Sequence, residues 1–485
     1  MTKLACALVV SLLAASCSRV APERQLVLDA AGALGGLDRI QAMRSLQIEG
    51  EGESPNVGQN TMPDGDLPVW KVSDYTRTID LVNGRVAVRQ ARTAQFLFAL
   101  AGVQRQHTAL DGDVAFNLDA TGQAVRAGDE AARDRRIEML HHPLTIVRAA
   151  LDEAATLANR RADGDDDLVD VTTAKGDVLT LAVARATKLP SRVRNTAAHP
   201  NLGDVVVTTA FLGYEDVGGV KLPTRLTTTL DDYLQFDLRV SSNTVDVETA
   251  GLAAPDSVKA APPAAPAIRV DVEPVAKGIW RLAGSGNHRS IVFEFDDHLV
   301  LFEVPLNEAR SKMTIDVART LSPKPLTHAV VSHHHFDHSG GLRVAVAEGL
   351  TIITHRANEA FFKDLVARAH TIQPDALARA PKPMVLELVD DQMTLKDRSM
   401  EVQLYHLVDN PREGTNLFAY VPRDRILVQA DLYDATWEQH LWGENVLANI
   451  ERRKLRVDRY VPVHGPMEPF ADMVRNIKTK TGSAP

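Results

Sequence analysis

Apolar and polar residues alternate along much of the first half of the chain. The alternation is clearest over residues 211–247, on both sides of a glycine turn at 217–220, and it is typical of half-buried antiparallel strands. The region begins with a helical segment at 23–43, broken at Gly35-Gly36. Shorter strand-like segments follow it, and one further helical segment, at 127–159, interrupts them. Residues 22–250 are therefore predicted to form a mainly antiparallel β domain; its strand-like segments are 45–50, 77–81, 178–183 and 204–208.

The pattern changes after residue 250. An alanine- and proline-rich segment, residues 251–268, has little apolar surface to bury and is predicted to be a semi-rigid linker. Strands and helices then alternate from residue 269 to 480, beginning with three short strands, a helix at 307–321 and a strand at 327–332. This order predicts a second domain of the α/β sandwich type.

The first residues have the character of an export signal. Lys3 precedes an apolar run at 4–15, which is too short to span a bilayer permanently. The following Leu-Ala-Ala-Ser-Cys resembles a bacterial lipoprotein cleavage box with Cys17 as the lipidated residue, and an ordinary secretory signal is the alternative. Residues 1–21 are thus predicted to be a signal peptide, and the protein is expected in the periplasm or the outer membrane.

The composition limits which residues can bind a metal ion and which partners the protein is expected to have. Its only cysteines are Cys6 and Cys17, so a metal site in the rest of the chain must use histidine and carboxylate ligands. The net charge is −9 and the sequence has no lysine- or arginine-rich block, which argues against nucleic acid as a partner. A membrane is expected as a partner only through the lipid anchor.

A histidine-rich loop follows the strand predicted at 327–332. His333, His335, Asp337 and His338 lie within six residues, at the end of an apolar strand and before a helix. Imidazole and carboxylate are the ligands of hydrolytic zinc, because they leave the ion acidic enough to ionise a bound water near neutral pH. The following Gly340-Gly341 lets the next helix approach the loop closely.

These four residues match the H-x-H-x-D-H motif of the metallo-β-lactamase superfamily, which residues from about 270 to 480 resemble. The resemblance implies an αββα sandwich, and it makes His333, His335, Asp337 and His338 zinc ligands. It also implies that Asp431, after an apolar strand, bridges two metal ions, and that His464 is the last ligand. Asp337 would, in addition, orient the attacking nucleophile.

The chain departs from the family at one expected ligand. In similar sequences a histidine follows a turn before the strand that begins near Leu417, and here we assign Arg412 to its place. Arginine cannot bind zinc while it is protonated. Four interpretations remain open: His406 replaces the missing ligand; a single zinc lies among Asp337, His338, Asp431 and His464; Arg412 places its charge where a metal would be; or Arg412 lies on a shifted surface loop.

The function expected from this resemblance is zinc-dependent hydrolysis in an exported protein. A zinc-bound hydroxide would cleave a small cyclic amide, lactone, ester or thioester, with one zinc ion well supported and a second in doubt. The alternative is a metal-binding protein with weakened catalysis, in which the N-terminal sheet binds a ligand.

Overall fold

The computed structural model describes residues 20–97, 102–265, 268–284 and 286–480. Cys17 and nearly all of the predicted signal peptide lie outside the described residues. No helix in the described part of the chain is long and apolar enough to cross a membrane.

The N-terminal region is built on one sheet of 13 strands, in the order β6-β5-β4-β3-β2-β1-β13-β12-β11-β10-β9-β8-β7. The pairs along this order are antiparallel, as the alternating sequence predicts. In chain order the elements of this region are α1 (Pro22–Leu34), α2 (Leu37–Ala42), β1 (Ser45–Pro55), β2 (Val69–Asp80), β3 (Arg85–Ala94), β4 (Gln104–Asp111), β5 (Val114–Leu118), β6 (Ala124–Arg126), α3 (Asp129–Leu140), α4 (Pro143–Leu151), β7 (Thr156–Asp163), β8 (Asp166–Thr172), β9 (Val178–Ala184), β10 (Pro190–His199), β11 (Gly203–Val217), β12 (Val220–Leu230), β13 (Tyr233–Val245) and α5 (Asp256–Ala260).

Helices α1 and α4 cover the sheet with their apolar residues. Leu26 and Leu34 of α1 pack in one core with Ile146 of α4 and with residues of the strands. The break predicted at Gly35-Gly36 is confirmed: Gly35 has a φ of 144°, and a Cβ there would lie 2.2 Å from the Gly219 carbonyl oxygen. Only glycine allows the chain to turn this close to the β11–β12 hairpin.

Two expectations for the N-terminal half are wrong in detail. The single helix predicted over 127–159 is instead the two helices α3 and α4, the second of which ends at Leu151. Residues 156–163 form the edge strand β7. This strand is largely exposed, so it lacks the apolar alternation by which a strand is recognised. Part of the predicted linker also packs on the sheet, since Ala254 and Val258 are buried against Ala87 and Phe116.

The C-terminal region contains two sheets, in the orders β14-β15-β16-β17-β18-β19-β20 and β21-β22-β23-β24-β25-β26. Its elements in chain order are β14 (Val270–Ala276), β15 (Ile279–Gly284), β16 (Ser290–Glu294), β17 (Leu299–Phe302), α6 (Glu308–Thr320), β18 (Leu326–Val330), α7 (Phe336–Ser339), α8 (Leu342–Ala347), β19 (Thr351–His355), α9 (Glu359–Ala367), α10 (Ala376–Arg379), β20 (Leu386–Val389), β21 (Gln392–Lys396), β22 (Glu401–His406), β23 (Leu417–Val421), β24 (Ile426–Gln429), α11 (Gly443–Arg452), β25 (Arg459–Pro462), β26 (Glu468–Pro469) and α12 (Phe470–Lys480).

The two sheets face each other and are covered by helices on their outer sides. Strand β17 shows the layering: Val300 and Phe302 point into the core between the sheets, and Leu299 and Leu301 point into the core under α6, α8 and α9. A third core joins the second sheet to α11 and α12. The predicted αββα sandwich, preceded by a mainly antiparallel β region, is therefore confirmed.

The buried face of β17 gives a prediction for stability. Leu301 is fully buried, so Leu301→Ala is expected to lower the free energy of unfolding by about 2–5 kcal/mol through lost apolar burial and a residual cavity. The matched control is Leu212→Ala, because Leu212 is 48% exposed and its truncation should change stability by less than about 0.5 kcal/mol. Chemical denaturation measures both; equal losses would contradict the layering described above.

Candidate metal centre

The histidine motif lies between β18 and α8 in a tightly packed loop. His333 and His335 precede the short helix α7, and His338 lies within it. Gly341 is needed for this packing, because a Cβ there would lie 2.0 Å from the Ser311 hydroxyl oxygen of α6. The loop is thereby held against α6, with its four histidines almost completely buried.

Ends of three strands bring four of the predicted ligands together. Asp431 follows β24, His464 follows β25, and Asp337 and His338 come from the loop after β18. We call these four residues cluster A. The Asp431 Oδ1 atom lies 2.6 Å from His338 Nε2 and 2.7 Å from His464 Nε2, and the two Nε2 atoms are 3.1 Å apart.

The donor set of cluster A suits a divalent metal ion. Donor atoms that share one tetrahedral zinc lie roughly 3.3 Å apart, given zinc–nitrogen distances of about 2.0–2.1 Å. The separations between donor atoms in cluster A range from 2.6 to 3.8 Å and bracket this value. His464 donates its Nδ1 hydrogen to the Asn287 carbonyl oxygen at 2.5 Å, which leaves the Nε2 lone pair facing the cluster. His338 Nδ1 faces the buried Glu303 carboxylate at 3.4 Å. Outer partners of this kind orient metal-binding histidines.

A second group, cluster B, contains His333, His335, Glu413 and again Asp431. The Asp431 Oδ2 atom lies 3.5 Å from His333 Nε2 and 3.7 Å from His335 Nδ1. Both nitrogen atoms are buried, and neither has a hydrogen-bond partner among the residues that the structure describes. Asp431 thus directs one oxygen into each cluster, which is the position that the sequence resemblance implies for a bridging carboxylate.

Glu413 was not predicted from the sequence. Arg412 was assigned to the missing ligand position, with His406 as one of the open alternatives, but the structure brings the Glu413 carboxylate to His335, at 3.9 Å between Oε1 and Nδ1. His406 instead contacts the Gly414 carbonyl oxygen through Nε2 and stacks on His355, and it belongs to neither cluster. A carboxylate next to the expected position was the available signal, since glutamate is also a zinc ligand.

Arg412 is not a surface residue on a shifted loop. Its Nη2 atom donates a hydrogen bond of 2.6 Å to Asp431 Oδ2, its Nε atom lies 2.5 Å from Glu413 Oε1, and its guanidinium lies over the Trp442 ring. Burial would lower the pKa of Arg412, but Asp431 and Glu413 outweigh it and raise that pKa. The guanidinium therefore stays charged, and it contacts the same carboxylate oxygens that a metal ion in cluster B would need.

Charges also set the state of the two aspartates. Burial alone would raise the pKa of Asp431, but His338 and Arg412 hold that pKa well below its usual range. Burial would likewise raise the pKa of Asp337, but the charge of His338 together with the hydrogen bonds from His288 and His338 holds that pKa well below its usual range. Both carboxylates are therefore ionised at neutral pH, which is the state that binds a metal ion.

His288 is a further residue of the site that the sequence analysis did not single out. It lies in the loop before β16, with Nε2 at 3.6 Å from Asp337 Oδ2 and its ring edge-on to His464. Burial lowers the pKa of His288, and the neighbouring His464 lowers it further. An isolated histidine in a loop gives no sequence signal, and only the fold brings it to cluster A.

Comparisons with known proteins find one matching family model and several similar solved structures. Residues 283–393 match the sequence model of the metallo-beta-lactamase superfamily. Among solved structures, a metallo-beta-lactamase from Pontibacter korlensis is 14% identical, with 43% of this chain and 98% of that chain covered and a TM-score of 0.35. A metallo-beta-lactamase from Hirschia baltica is 14% identical, with 44% and 99% covered and a TM-score of 0.33. A search of curated proteins finds no match.

The positions of His406 and His464 give a prediction for metal affinity. His464→Ala removes one of the four donors of cluster A and should weaken zinc binding by about 100-fold or more, since loss of an outer partner alone costs about 10- to 100-fold. His406→Ala should leave zinc affinity unchanged, because its ring lies against Gly414 and His355 and belongs to neither cluster. Competition titration with a chromophoric chelator measures both, and a loss of affinity in His406→Ala would restore His406 as a ligand.

Proposed function

Because the chain carries a domain of the metallo-β-lactamase superfamily, we propose that it is a zinc-dependent hydrolase with its metal ion in cluster A. The supporting observation is the convergence of two imidazole nitrogens on one oxygen of Asp431, with Asp337 completing the donor set. The substrate class that we propose is a small cyclic amide, lactone, ester or thioester.

The chain supplies a base and a cation beside the metal position. A zinc ion, when bound, supplies a Lewis acid that activates water and polarises a carbonyl group. Asp337 is the most exposed member of cluster A, with 23% of its side chain accessible, and its ionised carboxylate can orient a water molecule and accept its proton. The Arg412 guanidinium, on the other side of Asp431, donates a hydrogen bond of 2.6 Å to that carboxylate and so adds a fixed positive charge to the centre.

We propose a single metal ion, because Arg412 already neutralises cluster B. Its guanidinium contacts the carboxylates of Asp431 and Glu413 at 2.6 and 2.5 Å. A divalent ion among the same atoms would be repelled by the guanidinium in a buried environment, where charges are poorly screened. In cluster B the arginine thus serves as the second cation of the centre.

We also propose that the protein is exported. The support is the sequence of residues 1–21, in which Lys3, the apolar run and Cys17 have the order of a lipoprotein signal. The protein would then act in the periplasm or at the outer membrane, where its substrate must be present.

A second candidate function is ligand binding by the N-terminal sheet, with weakened catalysis in the C-terminal domain. It is favoured by a cavity of about 500 Å³ between the sheet and α3, lined by apolar side chains and by polar groups that include Arg77 and His141. This function predicts a bound apolar ligand and no turnover of the hydrolase substrates.

The proposed hydrolysis predicts metal-dependent turnover. The purified protein should contain zinc and should cleave at least one member of a panel made up of nitrocefin, a lactone and a thioester. A chelator should lower the rate at least about 100-fold, and zinc should restore it, because activation of water at neutral pH needs the metal. Elemental analysis and steady-state assays test this. A zinc-free or inert protein would exclude the hydrolase and favour the binding protein.

The proposed role of Arg412 predicts the number of metal ions. The wild-type protein should bind one zinc ion per chain, and Arg412→Gln should bind two, because the neutral amide frees both carboxylates of cluster B. Arg453→Gln is the matched control, since Arg453 also pairs with an aspartate, Asp391, and lies over an aromatic ring, at Tyr405. This control should still bind one zinc ion. A wild-type protein with two zinc ions would contradict the role given to Arg412.

A further inference from the structure

A segment of the N-terminal region lies on the metal centre of the C-terminal region. Residues 56–68 connect β1 and β2, and we call them the strap. The strap is folded on itself, because the Asn60 side-chain amide donates to the carbonyl oxygens of Pro63 and Gly65. Its tip reaches two of the loops that carry members of the clusters, the one after β18 and the one before β23.

Gln59 of the strap contacts a ligand of cluster A directly. Its side-chain Nε2 donates a hydrogen bond of 2.9 Å to Asp337 Oδ1. The other carboxylate oxygen, Oδ2, lies 3.2 Å from His338 Nε2 and 3.8 Å from His464 Nε2. Because one oxygen is held by the amide, the other is turned toward the histidines of the cluster.

The next residue of the strap acts on cluster B through its main chain. The Asn60 carbonyl oxygen lies 2.9 Å from His335 Nε2. A carbonyl oxygen can only accept, so Nε2 carries the hydrogen of the imidazole, and in the neutral ring Nδ1 is left with its lone pair. Nδ1 is the atom that faces Asp431 and Glu413. The strap therefore selects the tautomer of His335 in which the Nδ1 lone pair faces the carboxylates of cluster B.

Two glycines allow the strap to lie this close. Gly58 has a φ of +75°, and a Cβ there would lie 2.3 Å from the ring of Phe336, the residue between His335 and Asp337. On the other side, a Cβ at Gly414 would lie 2.4 Å from Met62 Sδ, and the Gly414 amide donates to the Thr61 carbonyl oxygen at 2.8 Å. The strap is thus packed between the two ligand loops without space for a larger residue at either contact.

We propose that the strap is part of the metal centre, with Gln59 and the main chain of Asn60 as positioning groups for Asp337 and His335. This assigns a role to the N-terminal region: it completes the outer shell of a metal site whose ligands all belong to the C-terminal region. The inference rests on the proposed binding of a metal ion, and it concerns groups that touch the ligands rather than the ion.

The test is the affinity of the full-length protein for zinc and for cobalt, measured by competition with a chelator. Gln59→Met keeps the length of the side chain and removes its donor, and it should weaken metal binding about 10- to 100-fold. The absorption spectrum of the cobalt-loaded Gln59→Met protein should also differ from that of the wild type, because the Asp337 carboxylate loses the hydrogen bond that fixes its orientation. Gln47→Met is the matched control: the Gln47 amide also donates to a carboxylate, that of Glu49, but on β1 away from the site.

A double substitution separates positioning from a general effect on stability. In an Asp337→Ala background, Gln59→Met should have no further effect on metal affinity, because the group that it positions is absent. A second route perturbs the strap itself. Gly58→Ala should weaken metal binding, and Gly84→Ala should not, although Gly84 has a similar φ of +64° and no atom lies within 4 Å of its Cβ position.

The outcomes are distinguishable. A wild-type protein that binds no metal overturns both the proposed function and this inference. A wild-type protein that binds zinc, with Gln59→Met binding it equally tightly and with an unchanged cobalt spectrum, overturns the role of the strap alone. Additive losses in Gln59→Met and Asp337→Ala would also contradict it, because they would show that the glutamine does not act through this aspartate.

Discussion

The carboxylate of Asp431 is the interaction on which the rest of the centre depends. Its Oδ1 atom lies between the imidazoles of His338 and His464, and its Oδ2 atom accepts a hydrogen bond from Arg412 and faces His333. With only 3% of the residue exposed, this negative charge needs compensation from the protein or from a bound cation. In cluster A, the charge of Asp431 faces two histidines in a group that could hold a metal ion. In cluster B, an arginine compensates the charge.

The ligands from separate strand ends were predictable because each one sits in a recognisable local context. His333, His335, Asp337 and His338 form a contiguous motif, and Asp431 and His464 each follow an apolar strand. The resemblance supplied the order, and the structure brings Asp337, His338, Asp431 and His464 to one point. The αββα layering was equally predictable, since strands such as β17 are apolar on both faces.

What was not predictable depends on contacts between distant residues. Gln59 meets Asp337 across 278 positions of sequence, and a glutamine in a loop has no distinguishing pattern. His288 is a similar case, because it is one titratable residue in a loop that only the fold brings to the cluster, whereas Glu413 lies next to the expected ligand position. The edge strand β7 was missed for a related reason: it is defined by its pairing with β8 rather than by its own apolar pattern.

The two clusters differ in how far they open to solvent. The side chains of His333 and His335 are 0 and 1% exposed, so cluster B is closed. Asp337 and His288, at 23% each, form the open edge of cluster A. In the proposed hydrolase, a substrate would reach the metal ion past this edge. Because Gln59 of the strap contacts Asp337 there, residues of both regions of the chain border the edge, and under the proposed function both would contribute to the selection of substrate.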